Sequence, residues 1–135
     1  MKQGKLDETL KKHELWLEGA YGGERADLRG ADLRRANLSG AKLNRVDLRG
    51  TDLKETDLSG ADLDFSCLPL WRGSLNAHFD DRQLYQIAYH LVRAGLHSKN
   101  ASEETKKELS KLIDFANKFH RVKECGEIKL EEMTE

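Results

Sequence analysis

Leucine recurs at every fifth position through a third of this chain. From Glu24 to Leu68 the sequence divides into nine units of five residues, and every unit ends in leucine: Leu28, Leu33, Leu38, Leu43, Leu48, Leu53, Leu58, Leu63 and Leu68. An α-helix advances about 500° in five residues, so these leucines would not share one helical face. A flat strand alternates every two residues, so this odd spacing would send successive leucines to opposite faces. The period therefore predicts a backbone that turns a corner in every unit.

Small and polar residues also hold fixed places in each unit. The residue two before each leucine is small: Ala26, Ala31, Ala36, Ala41, Val46, Thr51, Thr56, Ala61 and Ser66. The residue between them is polar in the first eight units, and cysteine takes its place in the last: Asp27, Asp32, Asn37, Lys42, Asp47, Asp52, Asp57, Asp62 and Cys67. With a corner in every unit, the leucine and the small residue point to a common axis and the other three face water. Glycine suits such corners because it adopts positive φ easily, as expected for Gly30, Gly40, Gly50 and Gly60.

The repeated A-(D/N)-L-x-x pattern resembles the pentapeptide-repeat proteins over residues 24–68. The segments 16–19 and 22–28 also resemble the openings of bacterial and phage members of that family. The resemblance implies a β-solenoid plus α fold class, with four units forming one square coil of a short right-handed quadrilateral β-helix of about two coils. The departures from the pattern are mild: Lys42, Val46, Thr51, Thr56 and Cys67.

Two coils are too few to bury a core without help. At the spacing of neighbouring strands the column is only about 11 Å tall, and solenoids need stacked units with capping ends. Residues 1–23 are predicted to supply an N-terminal capping helix and a lead-in. The helix is expected over residues 8–18, with Asp7 as its N-cap and Trp16 as its main anchor. The alternative for Trp16 is an exposed aromatic residue that binds a partner.

The sequence after the repeat predicts a linker and then a helical hairpin. Pro69 marks the boundary, and residues 69–79 are predicted to be a linker whose Trp71 and Phe79 fold over the last coil. Residues 80–122 carry two apolar patterns with helical spacing, which predict an antiparallel pair of helices. The charged tail at residues 123–135 is predicted to fray.

The apolar spacing also predicts which hairpin residues are buried. The first helix is expected to end at Gly95 and to bury Leu84, Ile87, Ala88 and Leu91. The second is expected to start at a capping box formed by Asn100 and Glu103. Its buried face is predicted to contain Leu109, Leu112, Ile113, Ala116 and Phe119.

Nothing in the motifs predicts an enzyme, a metal site or a cofactor. The column is filled with leucine and alanine, which leaves no pocket with convergent polar groups, and no catalytic residues are predicted. The five histidines show no metal-ligand spacing. Cys67 and Cys125 lie far apart, which suits a reducing cytosol. No apolar run is long enough to cross a membrane and the N-terminus has no apolar signal region, so a cytoplasmic location and no membrane partner are expected.

The charge pattern of the column is the main candidate for function. Charged residues make up 35% of the chain, yet the net charge is only -1, which argues against a strongly basic nucleic-acid binder. Residues 27–46, the first coil, carry a net charge of +3, and residues 47–66, the second coil, carry -4. The candidate basic set is Arg29, Arg34, Arg35, Arg45 and Arg49. The candidate acidic set is Asp52, Glu55, Asp57, Asp62 and Asp64. This polarity indicates either a chance imbalance on a solvated surface or a surface that steers a charged partner.

Some pentapeptide-repeat proteins are DNA mimics that bind gyrase-type topoisomerases. An 11 Å mimic of B-DNA needs about six or seven uncancelled negative charges. The repeat carries nine acids and eight bases, so a long DNA-like rod is excluded but a small acidic patch is not. The resemblance therefore implies a non-enzymatic protein-binding module, expected to be a phage-encoded inhibitor of a bacterial nucleic-acid-handling machine. Topoisomerases and defence nucleases such as CRISPR effectors are the expected targets, reached by surface occlusion or partial DNA mimicry.

Two other functions stay open from the sequence. The helical hairpin or an uncapped coil could drive homodimerisation, which would make the protein a structural scaffold. Alternatively, the basic first coil could bind nucleic acid directly but weakly. The near-zero net charge and the lack of aromatic residues among the basic ones disfavour direct nucleic-acid binding.

Overall fold

The computed structural model describes residues 1–70 and 76–130. The chain divides into two compact units, Met1–Asp80 and Asp81–Glu135, each with its own hydrophobic core. In the described residues the first unit contains the repeat and one helix, α1 (Gln3–Leu17). The described part of the second unit contains four helices: α2 (Asp81–His97), α3 (Glu103–Ser110), α4 (Ile113–Ala116) and α5 (Val122–Cys125).

The repeat backbone pairs with itself at an offset of twenty residues. Parallel bridges join Asp27 to Asp47, Asp32 to Asp52, Asn37 to Asp57, Lys42 to Asp62, and Asp47 to Cys67. Four units therefore complete one turn of a solenoid. No continuous strand occurs in the described residues, because each unit spends two of its five residues on a turn. The predicted combination of a solenoid with flanking helices is confirmed, but its sides are single bridges rather than strands.

The leucines and the small residues fill the interior of the column as predicted. The seven leucines from Leu28 to Leu58 are at most 1% exposed. Thr51 and Thr56 are fully buried although the pattern favours alanine. The Thr51 hydroxyl donates to the Leu48 carbonyl and the Thr56 hydroxyl donates to the Leu33 carbonyl, both at 2.7 Å. These two departures therefore leave no hydroxyl unsatisfied in the core.

A tight turn makes each corner of the column. The N–H of Ala31, for example, donates to the Leu28 carbonyl at 3.0 Å, which closes a four-residue turn around Gly30. The third residue of each turn has a positive φ, as a type II turn requires. Glycine takes this place at 30, 40, 50 and 60, which confirms its predicted role. Larger residues adopt the same conformation at the corners in between: Arg35, Arg45, Glu55 and Phe65.

Helix α1 starts earlier than predicted, and Trp16 is not its main anchor. It begins at Gln3 with Lys2 as the N-cap, so the prediction of Asp7 as N-cap is wrong. Leu6, Leu10 and His13 are its buried residues, because their spacing of four and three places them on one helical face. Trp16 is only partly buried and stacks on His13 with ring centroids 5.4 Å apart. It is therefore neither the main anchor nor fully exposed.

The segment before the second unit extends the column. His78 bridges Asp57, and the Leu58 N–H donates to the His78 carbonyl at 2.9 Å. Phe79 is partly buried against the leucine core, as predicted for this residue. Residues 76–79 therefore continue the ladder within the range predicted to be a linker. Trp71 lies outside the described residues.

Helix α2 does not end at Gly95, and of its predicted face only Ala88, which packs against the core of the second unit, and the half-buried Ile87 turn inward. It continues to His97, and Gly95 packs so closely on α3 that a Cβ would lie 2.1 Å from Leu109 Cδ1. Leu84 and Leu91 are 41% and 55% exposed. The buried set is instead Gln83, Tyr89, Val92 and Leu96. The Tyr89 hydroxyl donates to the Gly126 carbonyl at 2.6 Å, and this contact turns its face of α2 inward.

The predicted second helix is broken into shorter pieces. Its N-cap is Ser102, whose hydroxyl accepts the Thr105 N–H at 3.1 Å, so the predicted cap at Asn100 is wrong. A turn separates α3 from α4. Leu112 lies at this break and is 40% exposed, whereas Ala116 and Phe119 are buried as predicted.

The segment after α5 is held in place rather than frayed. Ile128 is 2% exposed and belongs to the core of the second unit. The Asn117 side chain accepts the Ile128 N–H at 2.8 Å and donates to the Ile128 carbonyl at 3.0 Å. The prediction of a frayed tail is therefore wrong for this segment, because one amide side chain pairs with its backbone as a neighbouring strand would.

Candidate functional site

The outward Asp or Asn of each unit builds the corner that follows it. In seven units its side-chain oxygen accepts the backbone N–H of the residue two positions later, at 3.0–3.2 Å. This Asx turn is a common local use of Asp and Asn. The acidic character of the repeat is therefore partly a requirement of the fold, independent of any ligand.

Three of these aspartates also hold an arginine in a bidentate ion pair. Arg29 donates to both carboxylate oxygens of Asp27 at 2.9 Å. Arg34 pairs in the same way with Asp32, and Arg49 pairs with Asp47. The sequence analysis missed these pairs, although the signal was present as the recurring tripeptide Asp-Leu-Arg at 27–29, 32–34 and 47–49.

The ion pairs keep their carboxyl groups charged. Hydrogen bonding from Arg29 lowers the pKa of Asp27 to about 2, and Arg49 lowers the pKa of Asp47 to about 2. Arg34 likewise holds the pKa of Asp32 well below its usual range. Both members of each pair are therefore ionised at neutral pH and cancel each other in the net charge of the column.

The pairing divides the predicted basic set. Arg29, Arg34 and Arg49 are each held by an aspartate. Arg35 and Arg45 make no ion pair within the described part of the chain, and both stand at positive-φ corners. The Arg45 guanidinium lies over the Phe65 ring, 5.8 Å from its centroid. Folding therefore places an aromatic ring beside a basic residue, which the sequence analysis did not anticipate.

The basic set does not form one surface. In the twenty-residue register Arg29 and Arg49 share one corner of the column. Arg34 and Arg35 occupy the next corner, and Arg45 lies at the corner diagonally opposite to them. The structure therefore distributes these five guanidinium groups around the column instead of aligning them along a single polyanion track.

The predicted acidic set also contains residues with and without an ion pair. Asp52 lies 3.9 Å from the Arg34 side chain, and Glu55 lies 3.0 Å from the His78 ring. Asp57 and Asp62 make no ion pair with Lys or Arg within the described residues. They lie on consecutive sides of the second coil, separated by the Ser59–Gly60 corner. The Ser59 hydroxyl lowers the pKa of Asp57, which keeps this carboxylate ionised.

The charges without ion pairs are unevenly distributed along the column, with Lys54 as the cation of the second coil that breaks the pattern. In the described residues they include Arg35, Lys42 and Arg45 in the first coil and Asp57 and Asp62 in the second. The Asp–Arg pairs contribute no net charge, so these five residues carry much of the polarity predicted from the sequence. The polarity is thus a property of specific, outward-facing side chains on a regular backbone.

Helix α1 closes the first edge of the column. The Gln3 side chain accepts the Asn37 N–H at 2.9 Å and donates to the Asn37 carbonyl at 3.0 Å. His13 accepts the Ala26 N–H at Nδ1 and donates to the Asn44 carbonyl from Nε2. These side chains satisfy backbone groups that would otherwise offer an open edge for pairing with another chain.

Two open clefts stand out on the described surface of the first unit. One is lined by Met1, Asp32, Arg34, Arg35 and Lys54. The other runs beside α1 and contains Lys5, Glu8, Thr9, Lys12 and residues 24–27. Among the described residues no three His, Cys, Asp or Glu side chains are grouped so that they could hold a metal ion.

Two further features of the described residues concern chemistry and location. Cys67 and Cys125 are free thiols and both are exposed, as predicted for Cys67. None of the helices in the described ranges has the length and apolar character needed to span a lipid bilayer.

Comparison with known proteins agrees with the geometry of the column. A family model described as Pentapeptide repeats matches residues 31–68 in eight copies. No curated protein and no solved structure matches the chain. The family match, the five-residue period and the twenty-residue backbone register all describe the same part of the molecule. Residues 31–68 therefore belong to the pentapeptide-repeat family, as the sequence pattern predicted.

Proposed function

We propose that the repeat column is a non-enzymatic protein-binding module that covers a basic surface of a bacterial protein. The observation that carries the proposal is the uneven distribution of charges without ion pairs, which are positive in the first coil and, apart from Lys54, negative in the second. The backbone hydrogen bonds of the solenoid hold these side chains at fixed spacings. A surface ordered before binding loses less conformational entropy when the complex forms.

The acidic edge is the proposed contact surface, and we define it as Asp57, Ser59, Gly60 and Asp62. Its two carboxylates flank a corner made only of small residues. Gly60 lies directly over Gly40, and a Cβ on Gly60 would be 3.6 Å from the Gly40 nitrogen. The Asp80 carboxylate accepts the Gly60 N–H and adds a third acid at this corner, so a partner can place Lys or Arg side chains against a small group of carboxylates. Such charge complementarity mainly raises the rate and the specificity of association.

The family resemblance supplies the proposed target class. It favours a phage-encoded inhibitor of a bacterial nucleic-acid-handling enzyme, with topoisomerases and CRISPR effectors as candidates. Surface occlusion fits the column better than DNA mimicry. A mimic of this height needs about six or seven uncancelled negative charges, and the arginine pairs neutralise three of its aspartates.

The proposal is tested by capture from a nuclease-treated bacterial lysate with the tagged full-length protein. The test variant carries Asp57→Lys and Asp62→Lys, which reverse both charges of the acidic edge. The matched control carries Glu8→Lys and Glu104→Lys, which reverse two exposed acids on α1 and α3. We expect wild type and control to retain a discrete bacterial protein, and the test variant to retain at least about tenfold less.

Equal capture by the test and control variants would contradict the acidic edge as the contact surface. Recovery that disappears with nuclease treatment would favour direct nucleic-acid binding instead. Recovery of the protein alone, together with a sedimentation coefficient that rises with concentration, would favour the homodimeric scaffold.

A further inference from the structure

One corner of the column brings three cationic side chains together at an open cleft. The cleft is lined by Met1, Asp32, Arg34, Arg35 and Lys54. Arg34 and Lys54 are twenty residues apart, so they share this corner in successive coils, about 4.8 Å apart along the axis. Folding thus gathers positive charges that are well separated in the sequence.

The aspartate at the cleft neutralises only one of these cations. Its two carboxylate oxygens accept hydrogen bonds from Arg34 at 2.8 and 2.6 Å, which fixes that guanidinium at the side of the cleft. Asp52, on the same side of the column, accepts the backbone N–H of Lys54 and lies 3.9 Å from Arg34. Arg35 and Lys54 make no ion pair within residues 1–70 and 76–130. Two positive charges therefore reach the cleft without an ion pair in the described residues; Glu55, which stacks over Arg35 in the twenty-residue register, contacts His78 instead.

Helix α1 adds a weaker positive contribution at the same place. It starts two residues after Met1, whose amino group donates to the Asp32 carbonyl at 2.7 Å. The first turn of α1 contains no acidic residue, and no side chain caps it. The N-terminal end of a helix carries partial positive charge, so this end favours an anion nearby.

The backbone at Arg35 makes the contribution of its side chain testable by a glycine substitution. Its φ is 61°, a left-handed conformation that disfavours residues with a Cβ. The corners on either side of it use Gly30 and Gly40 at the equivalent position. Arg45, Glu55 and Phe65 adopt the same conformation, so the strain is common to alternate corners, and glycine can replace Arg35 without opposing the backbone.

We propose that this cleft binds a phosphate-type oxyanion, with Arg35 and Lys54 as its ligands and Arg34 as the wall that positions it. The two negative charges of a phosphate dianion match the two cations in number, whereas a ligand with one carboxylate would supply a single negative charge. The planar guanidinium of Arg35 can donate two parallel hydrogen bonds to phosphate oxygens, and Lys54 supplies a mobile point charge. A nucleic-acid track is disfavoured, because the remaining arginines are spread over other corners.

The inference goes beyond the proposed function and uses a different corner from the acidic edge, so either can fail alone. The test is a titration of inorganic phosphate into the full-length protein at constant ionic strength, followed by NMR signals of the Arg35 and Lys54 side chains. The test variants are Arg35→Gly and Lys54→Gln. The matched control is Arg45→Gly, which removes the same charge from another positive-φ corner of the first coil.

We expect saturable shifts in the wild-type protein. Arg35→Gly and Lys54→Gln should each weaken phosphate binding by about tenfold, as loss of a charged ligand typically does. Arg45→Gly should change it by less than about twofold. Thermal unfolding of both glycine variants checks that they fold, and glycine suits the backbone at both positions.

Equal weakening by Arg35→Gly and Arg45→Gly would overturn the cleft, because it would show a response to net charge alone. Shifts that rise without saturation would overturn it as well. A parallel titration uses a short oligothymidylate. If it binds more tightly than phosphate and responds equally to both arginine variants, an extended nucleic-acid surface replaces the cleft. If phosphate displaces it and only Arg35→Gly weakens it, the cleft is supported.

Discussion

Left-handed backbone at large side chains is the most unusual feature of the column at the scale of single residues. The corners alternate between glycine and a residue with a Cβ, because the turn type stays the same while the sequence changes. The alternation implies that backbone strain occurs at every second corner and is a general property of this repeat. It also makes the strain measurable, because each kind of corner can be converted into the other.

Converting Arg35 to glycine should stabilise the protein. Arg35→Gly removes the steric cost of positive φ, which stabilises the folded protein. The greater freedom of glycine in the unfolded chain offsets part of this gain, so we expect the free energy of unfolding to rise by about 0.5 kcal/mol. Gly50→Ala is the converse, with φ 74° and a new Cβ 3.5 Å from Gly30, and should lower it by about 1 kcal/mol. Urea unfolding measures both, and a loss of stability in Arg35→Gly would contradict the strain.

The paired aspartates predict how stability depends on pH. The pKa values of Asp27 and Asp47 are about 2 in the folded protein, below the usual value of 3.8. A lowered carboxyl pKa contributes stability above the unfolded pKa, and that contribution is lost as the pH falls from about 4 to about 2. Asp27→Asn with Asp47→Asn keeps the Asx turns but should flatten this part of the profile. Urea unfolding between pH 5 and pH 2 tests it, and an unchanged slope would contradict the pairs.

At the scale of elements, α1 works as a cap through polar contacts as much as through apolar ones. Leu6 and Leu10 cover the leucine core, while Gln3 and His13 pair with the backbone edge of the first coil. A helix pairs most of its backbone groups internally, so side chains satisfy most of the solenoid edge beneath it, although the Lys12 carbonyl of α1 also accepts the Glu24 N–H at 3.0 Å. This explains why the buried face of α1 contains a histidine.

Replacing His13 should therefore destabilise the first unit strongly. His13→Ala leaves the Ala26 N–H and the Asn44 carbonyl without their partner and opens a cavity under α1. We expect a loss of about 2–4 kcal/mol in the free energy of unfolding. His97→Ala, at an exposed residue of α2, is the control and should change it by less than about 0.5 kcal/mol. If urea unfolding shows an equally small loss in the free energy of unfolding for both variants, His13 is not part of the cap.

The elements also show what a sequence can and cannot predict. The period of five identifies nearly the whole interior of the column, because every unit repeats the same inward places. Helical spacing fails for α2, since Tyr89 and Val92 face the core in place of Leu84 and Leu91. That choice depends on the Tyr89 contact with Gly126, which no local pattern records. Long-range contacts decide which of two apolar helix faces is buried.

At the scale of the whole molecule, charge is arranged by the register of the coils. The net charge of each coil could be predicted from the sequence alone. The sequence analysis did not identify which charges are cancelled, although the recurring Asp-Leu-Arg tripeptide indicates them, because the Asx turn that brings the two side chains together is visible only in the folded chain. The proposed phosphate cleft requires Lys54 and Arg34 to lie at the same corner in successive coils. The twenty-residue register predicts this proximity, whereas the composition of the chain does not. Both candidate surfaces are therefore consequences of the register.

The most direct test of this register uses the free thiol of Cys67, which pairs with Asp47 across the ladder. In a Cys125→Ser background, Asp47→Cys places two thiols on adjacent strands at a distance that a disulfide can span, whereas Asp27→Cys lies one coil further away. Mild oxidation followed by mass spectrometry should show an intramolecular disulfide in the Asp47→Cys protein and free thiols in the Asp27→Cys protein. Equal cross-linking in both, or cross-linking only from position 27, would contradict the twenty-residue coil.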